Sequence, residues 1–397
     1  MRVLLATTCV PDDRKTLAAV RALAGVAAVT VGSDRFLGEA YYSRFGDGRV
    51  RYPHPAKGVA AFVETLASQL RRLPHDVLLP MGDYACVAIS QRAATLEALT
   101  RLVTPAYEAL EISRDKEETG KLARRLGLQT PETHCPKDEA ELRALAAQIR
   151  YPCVVKLRRG AGAVGMSIAQ NAPDLLRRFA APRPSEDLVF GHGSLLVQEH
   201  VQGEVHDVCV LFRHGEPRAA LTQRRLRMHP NSGGVGTLVE TTQQEWLLEQ
   251  AVALLRALRW HGPAQVEFMV DRQAKRACLL EINGRFWGTL GLSIAAGINF
   301  PLLACRMALE GDVEPCFRYQ SGLRYRWPWP FGILDTLGRG HRWPSFREFF
   351  GPSRGTQSDL WFSDPLPHLA EIAFAAGRLY KRKSLRSAQR ATSWEAV

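Results

Sequence analysis

Residues 151–171, "YPCVVKLRRGAGAVGMSIAQN", limit the fold more than any other stretch of this 397-residue chain. Gly160, Gly162 and Gly165 spell G-x-G-x-x-G. A dinucleotide-binding turn of that spelling needs a strand before it and a helix opening at its last glycine. The strand is there, since 151–157 is short, apolar and bounded by Pro152 and the glycines. The helix is not: Ser167 and Ile168 read as a second strand closed by Asn171. Strand, glycine-rich tip and strand make a hairpin with a mobile tip, and the Rossmann reading fails at this point.

Upstream, strands at 2–6, 27–32 and 76–82 alternate with helical stretches at 15–23 and 58–73, the order of a parallel α/β layer. That segment is expected to end near residue 110. Residues 113–133 are predicted as one helix, capped by Ser113 and ended by Gly127 and Pro131. A second helix is expected over 138–150. Beyond the glycine hairpin, 194–212 reads as two strands about a turn at Gly203, and 243–260 as an amphipathic helix. Residues 262–270 and 276–284 read as a hairpin across "DRQAK". After about residue 306 the chain becomes dense in Trp, Pro and Arg, and the amphipathic stretch 369–380 is expected to pack on its own domain rather than on a membrane.

An apolar content of 46% with 23% charged residues is that of a soluble globular protein. No apolar run is long enough to cross a bilayer, and the opening residues lack a signal peptide's apolar stretch and cleavage site, so a cytoplasmic location is expected. None of the eight cysteines sits in a C-x-x-C pair, and Cys153, Cys209 and Cys278 lie in apolar runs, as reduced structural cysteines do. The net charge of +12 is mostly arginine. It reads first as arginine used wherever a solvated charge serves, and second as attraction for a phosphate-bearing substrate. With no nucleic-acid motif, a nucleic-acid partner is not expected.

The hairpin 262–284 carries the most chemistry. Side chains two apart on a strand share a face, so Glu281 and Asn283 point together and Glu267 can join them from the neighbouring strand. Two carboxylates about 4 Å apart repel by roughly 4 kcal/mol at an intermediate dielectric. Protons, arginines or a divalent metal must offset that. Two carboxylates and an amide oxygen suit Mg²⁺ held jointly with substrate phosphates; the plain alternative is an exposed strand face with Glu281 paired to Arg285.

Taken in order, "RDK" (114–116), "VVKLRRGAGAVG" (154–165), "VQEHVQGE" (197–204), "TQRRLRMHPNSGG" (222–234), "QVEF" (265–268) and "EINGRFWG" (281–288) resemble the ATP-grasp superfamily. The last motif and the arginine-rich segment are most similar to its ATP-dependent carboxylate–amine ligases. The resemblance spans about 1–305. It implies an α/β fold with an N-terminal parallel domain (1–110), an ATP-grasp domain (111–305, lid about 120–200) and a C-terminal extension (306–397). It also implies ATP and Mg²⁺, or Mn²⁺ in its place, as cofactors. On the matching positions, Lys116 and Lys156 would meet the ATP phosphates under the flap of Gly160, Gly162 and Gly165. Backbone groups of Gln198 and Val201 would hold adenine, and Glu204 the ribose. Glu267, Glu281 and Asn283 would bind metal, and Arg285 the transferred phosphoryl group or the substrate.

Two departures are visible: Leu157 follows Lys156 where many relatives have proline, and Gln198 stands where some have glutamate. Neither touches a metal ligand. Of Arg224, Arg225 and Arg227, the last is the favoured substrate-side arginine because it lies nearest the glycine turn; the plain alternative for each is a solvated strand edge. His200, His206 and His229 read as ordinary polar residues. The function implied is activation of a substrate carboxylate as an acyl phosphate and its joining to an amine, with small-molecule partners and a homodimer as one assembly open to the chain. The alternatives are bicarbonate or a thiol as second substrate, or a protein that binds ATP without turnover.

Overall fold

The computed structural model describes every residue except 9–12, 37, 161–165, 182–193, 230–232, 272, 274–275, 333–354 and 374–397. Gly162, Gly165 and most of the 369–380 stretch therefore lie outside the described residues. In the N-terminal part, β1 (Arg2–Thr7), α1 (Arg14–Leu23), β2 (Ala28–Ser33), β3 (Gly48–Arg51), α2 (Val59–Arg72), β4 (Val77–Pro80), α3 (Asp83–Gln91), α4 (Ala93–Glu97) and β5 (Arg101–Leu102) follow in that order. The strands form one parallel sheet, β3-β2-β1-β4-β5. Parallel strands covered on both faces need continuous apolar runs, and β4 is buried at every residue. Phe62, Leu66 and Leu70 of α2 pack on one face with Leu4 and Leu78. Leu17, Val20 and Leu23 of α1 pack on the other with Val3 and Leu5.

The stretch 113–133 is not one helix. α5 (Tyr107–Arg114) stops at Asp115, and α6 (Lys116–Arg125) starts immediately after it. Asp115, not Ser113, is the cap: its carboxylate accepts from the N–H groups of Glu117 and Glu118 at 3.1 and 3.3 Å. Acidic residues in the first turn and Arg124 and Arg125 in the last complement the helix dipole. This strong local start overrides the continuous apolar spacing, and it places Lys116 at the first helical position.

β6 (Thr133–His134), α7 (Glu139–Gln148), β7 (Cys153–Leu157), β8 (Ser167–Ala169), α8 (Ala172–Phe179) and β9 (Leu195–Glu199) build a small lid around the antiparallel sheet β6-β9-β7-β8. Cys153 lies opposite Ala169, so β7 and β8 are the two arms of the glycine hairpin. Asn171 does more than close a strand: its side chain caps α8, accepting from the Asp174 N–H at 3.0 Å. Leu142, Val155, Leu175 and Val197 give the lid a core of its own.

The remaining elements are β10 (Glu204–Arg213), β11 (Glu216–His229), β12 (Val235–Thr242), α9 (Glu245–Ala257), β13 (Gly262–Asp271), β14 (Arg276–Asn283), α10 (Leu290–Ala295), α11 (Phe300–Glu310), β15 (Arg324–Arg326) and β16 (Thr356–Ser358). Their sheet runs β14-β13-β10-β11-β12-β15-β16, antiparallel except for its last pair. One face packs on Leu247, Leu254 and Leu255 of α9. The other packs on α10, α11 and the core of the N-terminal layer, so the two larger units share a hydrophobic core. The Trp-rich tail joins this architecture: β15 pairs with β12, and Trp327 is fully buried. Asp364 then ties the tail to the N-terminal layer, accepting from Ser43 Oγ at 2.8 Å and Arg21 Nε at 3.1 Å. The seven described cysteines are free. No helix among the described residues is long and apolar enough to cross a membrane.

Candidate active site

The register of four antiparallel strands lines up four polar residues. Gln223 on β11 lies opposite Asp207 on β10, Asp207 opposite Glu267 on β13, and Glu267 opposite Glu281 on β14. Opposed residues present their side chains on the same face of a sheet. Asn283, two residues past Glu281, donates its amide N–H to Glu267 at 2.9 Å and to Glu281 at 3.2 Å. The three residues read as ligands from the sequence are therefore brought together. Arg285 is beside them, donating to the Asn283 amide oxygen at 3.2 Å and to Asp83 at 2.8 Å.

Cations surround this acidic group. Lys116 Nζ is 3.4 Å from Glu281 and donates to the Gly160 carbonyl at 2.9 Å. The guanidinium of Arg225 lies 2.7 Å from both Asp207 and Glu267, and Gln223 donates to the buried Asp207 at 2.8 Å. Burial pushes the Glu267 carboxyl up to about 7, against the pull of Arg225. Burial acts the same way on Glu281, but Lys116 and Lys156 outweigh it and hold that carboxyl down at about 2. Burial pulls Lys156 down to about 8, and the nearby Lys116 charge adds to the effect. One carboxylate of the pair thus resists ionisation, and a divalent cation between them would relieve it.

Two hollows flank the group. A cleft of about 930 Å³, open to solvent, lies between lid and large sheet, with Lys116, Lys156, Gly160, Gln198, Val201 and Glu281 among its walls. A second hollow, about 580 Å³ with its open mouth, lies between α1 and the carboxylates. Arg158 and Arg159 anchor the root of the glycine hairpin, at 2.8 and 3.3 Å from Asp115.

Two residues read as site members stand apart. Glu204 is 45% exposed, 3.5 Å from both His206 and Arg224, and is not among the cleft's lining residues. Arg227 lies opposite Leu238, and lines neither hollow. Arg224 faces Glu240 at 2.7 Å. It is Arg225 that reaches the carboxylates. Strand alternation would put 225 and 227 on one face, but the β11–β12 register slips on both sides of Arg227. Asp207 and Asp83 complete the constellation without having been singled out, and Arg225, weighed beside Arg227 but not favoured over it, is the arginine that joins them. The signal for Asp207 was legible, a lone acid inside the apolar run Val205–Phe212.

Among the described residues, no group of three or more His, Cys, Asp and Glu stands in metal-holding geometry. Two carboxylates and an amide are a different donor set, hard oxygens that leave most of an ion's coordination to phosphates and water. The residues fit Mg²⁺ in that mode. Ligation through Asn283 would require its amide to turn, because the nitrogen now faces the carboxylates.

Comparison with known proteins agrees with this geometry. Residues 115–213 match the family described as "Carbamoyl-phosphate synthase L chain, ATP binding domain", and 192–328 match "ATP-grasp in the biosynthetic pathway with Ter operon". The propionyl-CoA carboxylase alpha chain of Mus musculus is 29% identical over 193 residues, which is 46% of this chain and 26% of that protein. The chain spans between about a fifth and a half of the length of the curated relatives it matches. Among solved structures, the biotin carboxylase domain of Hydrogenobacter thermophilus 2-oxoglutarate carboxylase, a dimer with MgADP, ADP and bicarbonate, superposes with a TM-score of 0.63. It is 15% identical, covering 81% of this chain and 73% of that one. L-amino acid ligase from Bacillus licheniformis gives 0.58 at 17% identity, covering 79% and 74%. A lid over a carboxylate-bearing antiparallel sheet, matched from 115 to 328 by two overlapping families of one kind, leaves a single conclusion: the chain belongs to the ATP-grasp superfamily.

Proposed function

We propose that this protein is an ATP- and Mg²⁺-dependent ligase that joins a carboxylate to an amine, releasing ADP and phosphate. The observation that carries the reading is the convergence of Glu267, Glu281 and Asn283 where the two hollows meet, with Lys116 and Lys156 on the cleft side. Mg²⁺ on the acidic group would supply neutralising charge for the β- and γ-phosphates. Lys116, Lys156 and the glycine hairpin would hold the triphosphate, and the backbone of Gln198 and Val201, which line the same cleft, would bind adenine.

A substrate carboxylate oxygen bonds to the γ-phosphorus as the bond to the ADP oxygen breaks, giving an acyl phosphate. A neutral amine then attacks the acyl carbon, phosphate departs with the electron pair, and the amine proton passes to solvent. Little covalent work falls to the protein, so positioning and charge neutralisation carry the rate. Arg225 and Arg285, both beside the carboxylates, are placed for the latter. The lid excludes water from the acyl phosphate.

The amino-acid ligase among the structural neighbours supports this reading. The carboxylase chains among the sequence relatives favour a second one, with bicarbonate as the phosphoryl acceptor. Measuring ADP release with pooled carboxylates and amines, and separately with bicarbonate, tests both. Release that needs carboxylate plus amine is expected. Release with bicarbonate alone would replace the first reading by the second, and ATP binding without release in any mixture would overturn both.

A further inference from the structure

We propose that Asp115 is a positioning residue for the nucleotide's phosphates: its one carboxylate fixes Lys116 and the root of the glycine hairpin together, and so sets the grip of both on the triphosphate. The inference rests on the reading of Lys116 and that hairpin as phosphate holders. Asp115 is 1% exposed and lines neither the cleft nor the smaller hollow, so it acts through its neighbours. Its Oδ1 accepts from the N–H groups of Glu117 and Glu118 in the first turn of α6 and from Arg158 Nε at 2.8 Å. Its Oδ2 accepts from Arg158 Nε at 3.0 Å and Arg159 Nε at 3.3 Å. A helix cap needs only the backbone N–H groups. Both arginines are additional to it, and they are the residues with which the hairpin leaves β7.

Further contacts close this junction. The Lys116 N–H donates to the Arg158 carbonyl at 3.2 Å, and the Lys116 ammonium donates to the Gly160 carbonyl at 2.9 Å. The hairpin thus holds the lysine at both its backbone and its tip, with the ammonium 3.4 Å from Glu281. Outside Asp115, Arg158 lies 2.6 Å from Glu117, and Arg159 lies 2.8 Å from Glu111 on α5. Those outer pairs are partly exposed, where solvent and salt weaken an ion pair. Asp115 is the buried member, and losing the charge of a buried partner has a much larger effect. Burial opposes its ionisation, but Arg158 and the Glu118 N–H outweigh that and hold the carboxyl below its ordinary 3.8. Without this anion the two guanidinium groups meet only the outer acids, and the hairpin root is no longer tied to the start of α6.

Asp115→Asn separates the two roles of the carboxylate, because asparagine caps a helix about as well as aspartate does but brings no charge to the arginines. The test is equilibrium binding to the full chain of MgADP and, by competition, of AMP, which lacks the β-phosphate. Asp115→Asn should weaken MgADP by about tenfold and AMP by less than about threefold. Arg158→Gln together with Arg159→Gln should give the same split. Adding Asp115→Asn to that pair should weaken MgADP by no more than about twofold further, since Asp115 acts through the arginines. If Asp115→Asn does not fold, the arginine pair decides by the split between MgADP and AMP. Equal weakening of the two nucleotides, unchanged affinity for both, or full additivity with the arginine pair overturns the inference. MgADP binding that Asp115→Asn leaves intact overturns this inference alone, whereas a wild-type chain that binds no MgADP overturns the nucleotide reading and the inference with it.

Discussion

Arg225 Nη2 lies 2.7 Å from Glu267 Oε2, although a whole strand, β10, separates the strands that carry them. Asp207 on that strand shares the same guanidinium nitrogen at 2.7 Å. Removing one member of such a buried ion group leaves uncompensated charge, which costs about 3–5 kcal/mol. Arg225→Ala should therefore lower unfolding stability by that order in urea denaturation. Adding Asp207→Asn should return part of the loss, and strictly additive losses would show that the two side chains do not interact.

Glu281→Gln tests the acidic group on the side of chemistry. It keeps the shape of the side chain, removes the charge facing Lys116 at 3.4 Å, and should reduce ADP release by about a hundredfold or more, on the order lost when a charge-stabilising group is removed. Metal-free nucleotide binding, followed by fluorescence titration, should be largely retained. Normal turnover by this variant would remove Glu281 from the mechanism.

Gly203 joins the lid strand β9 to β10 with φ at +153°, and a Cβ there would stand 2.5 Å from the Val270 carbonyl oxygen. Backbone cannot yield as a side-chain tip does. Gly203→Ala should cost more than about 1 kcal/mol of stability, measured as a shift of the urea midpoint. An unchanged midpoint would show that the turn accepts a side chain.

The rings of His214 and His261 stack with centroids 4.4 Å apart. Burial, followed by the His214 and Arg213 charges, pulls His261 down to about 4 from its ordinary 6.5. Between those values the unfolded chain binds a proton that the folded chain does not. Stability from this group is thus fully present above pH 6.5 and is lost as pH falls toward 4, by at most about 3 kcal/mol. His261→Phe should flatten that limb of the stability–pH curve relative to wild type; parallel curves would contradict the assignment.

Much of the site was legible because its signals are local. Glu267, Glu281 and Asn283 follow from strand alternation and a short turn, and the hairpin 262–284 forms with Glu267 opposite Glu281. What escaped needed longer-range knowledge. Arg225 is distinguished from Arg227 by register slips against β12, and nothing in "QRRLR" announces them. Lys116 was recognised, but not the break that positions it, because the Asp115 cap interrupts a stretch whose apolar spacing runs on. The stacking of Arg14 on the Trp327 ring depends on the tail crossing back to α1, a contact between residues more than three hundred positions apart in the chain.

Binding of Mn²⁺ in the presence of ADP, followed by electron paramagnetic resonance, addresses the magnesium site itself. The wild-type chain should hold Mn²⁺ with ADP, and a chain carrying Glu267→Gln and Glu281→Gln should lose that ion while still binding ADP alone. Undiminished Mn²⁺ binding by the double variant would contradict the central claim, that these two carboxylates carry the metal on which the nucleotide's phosphates rest.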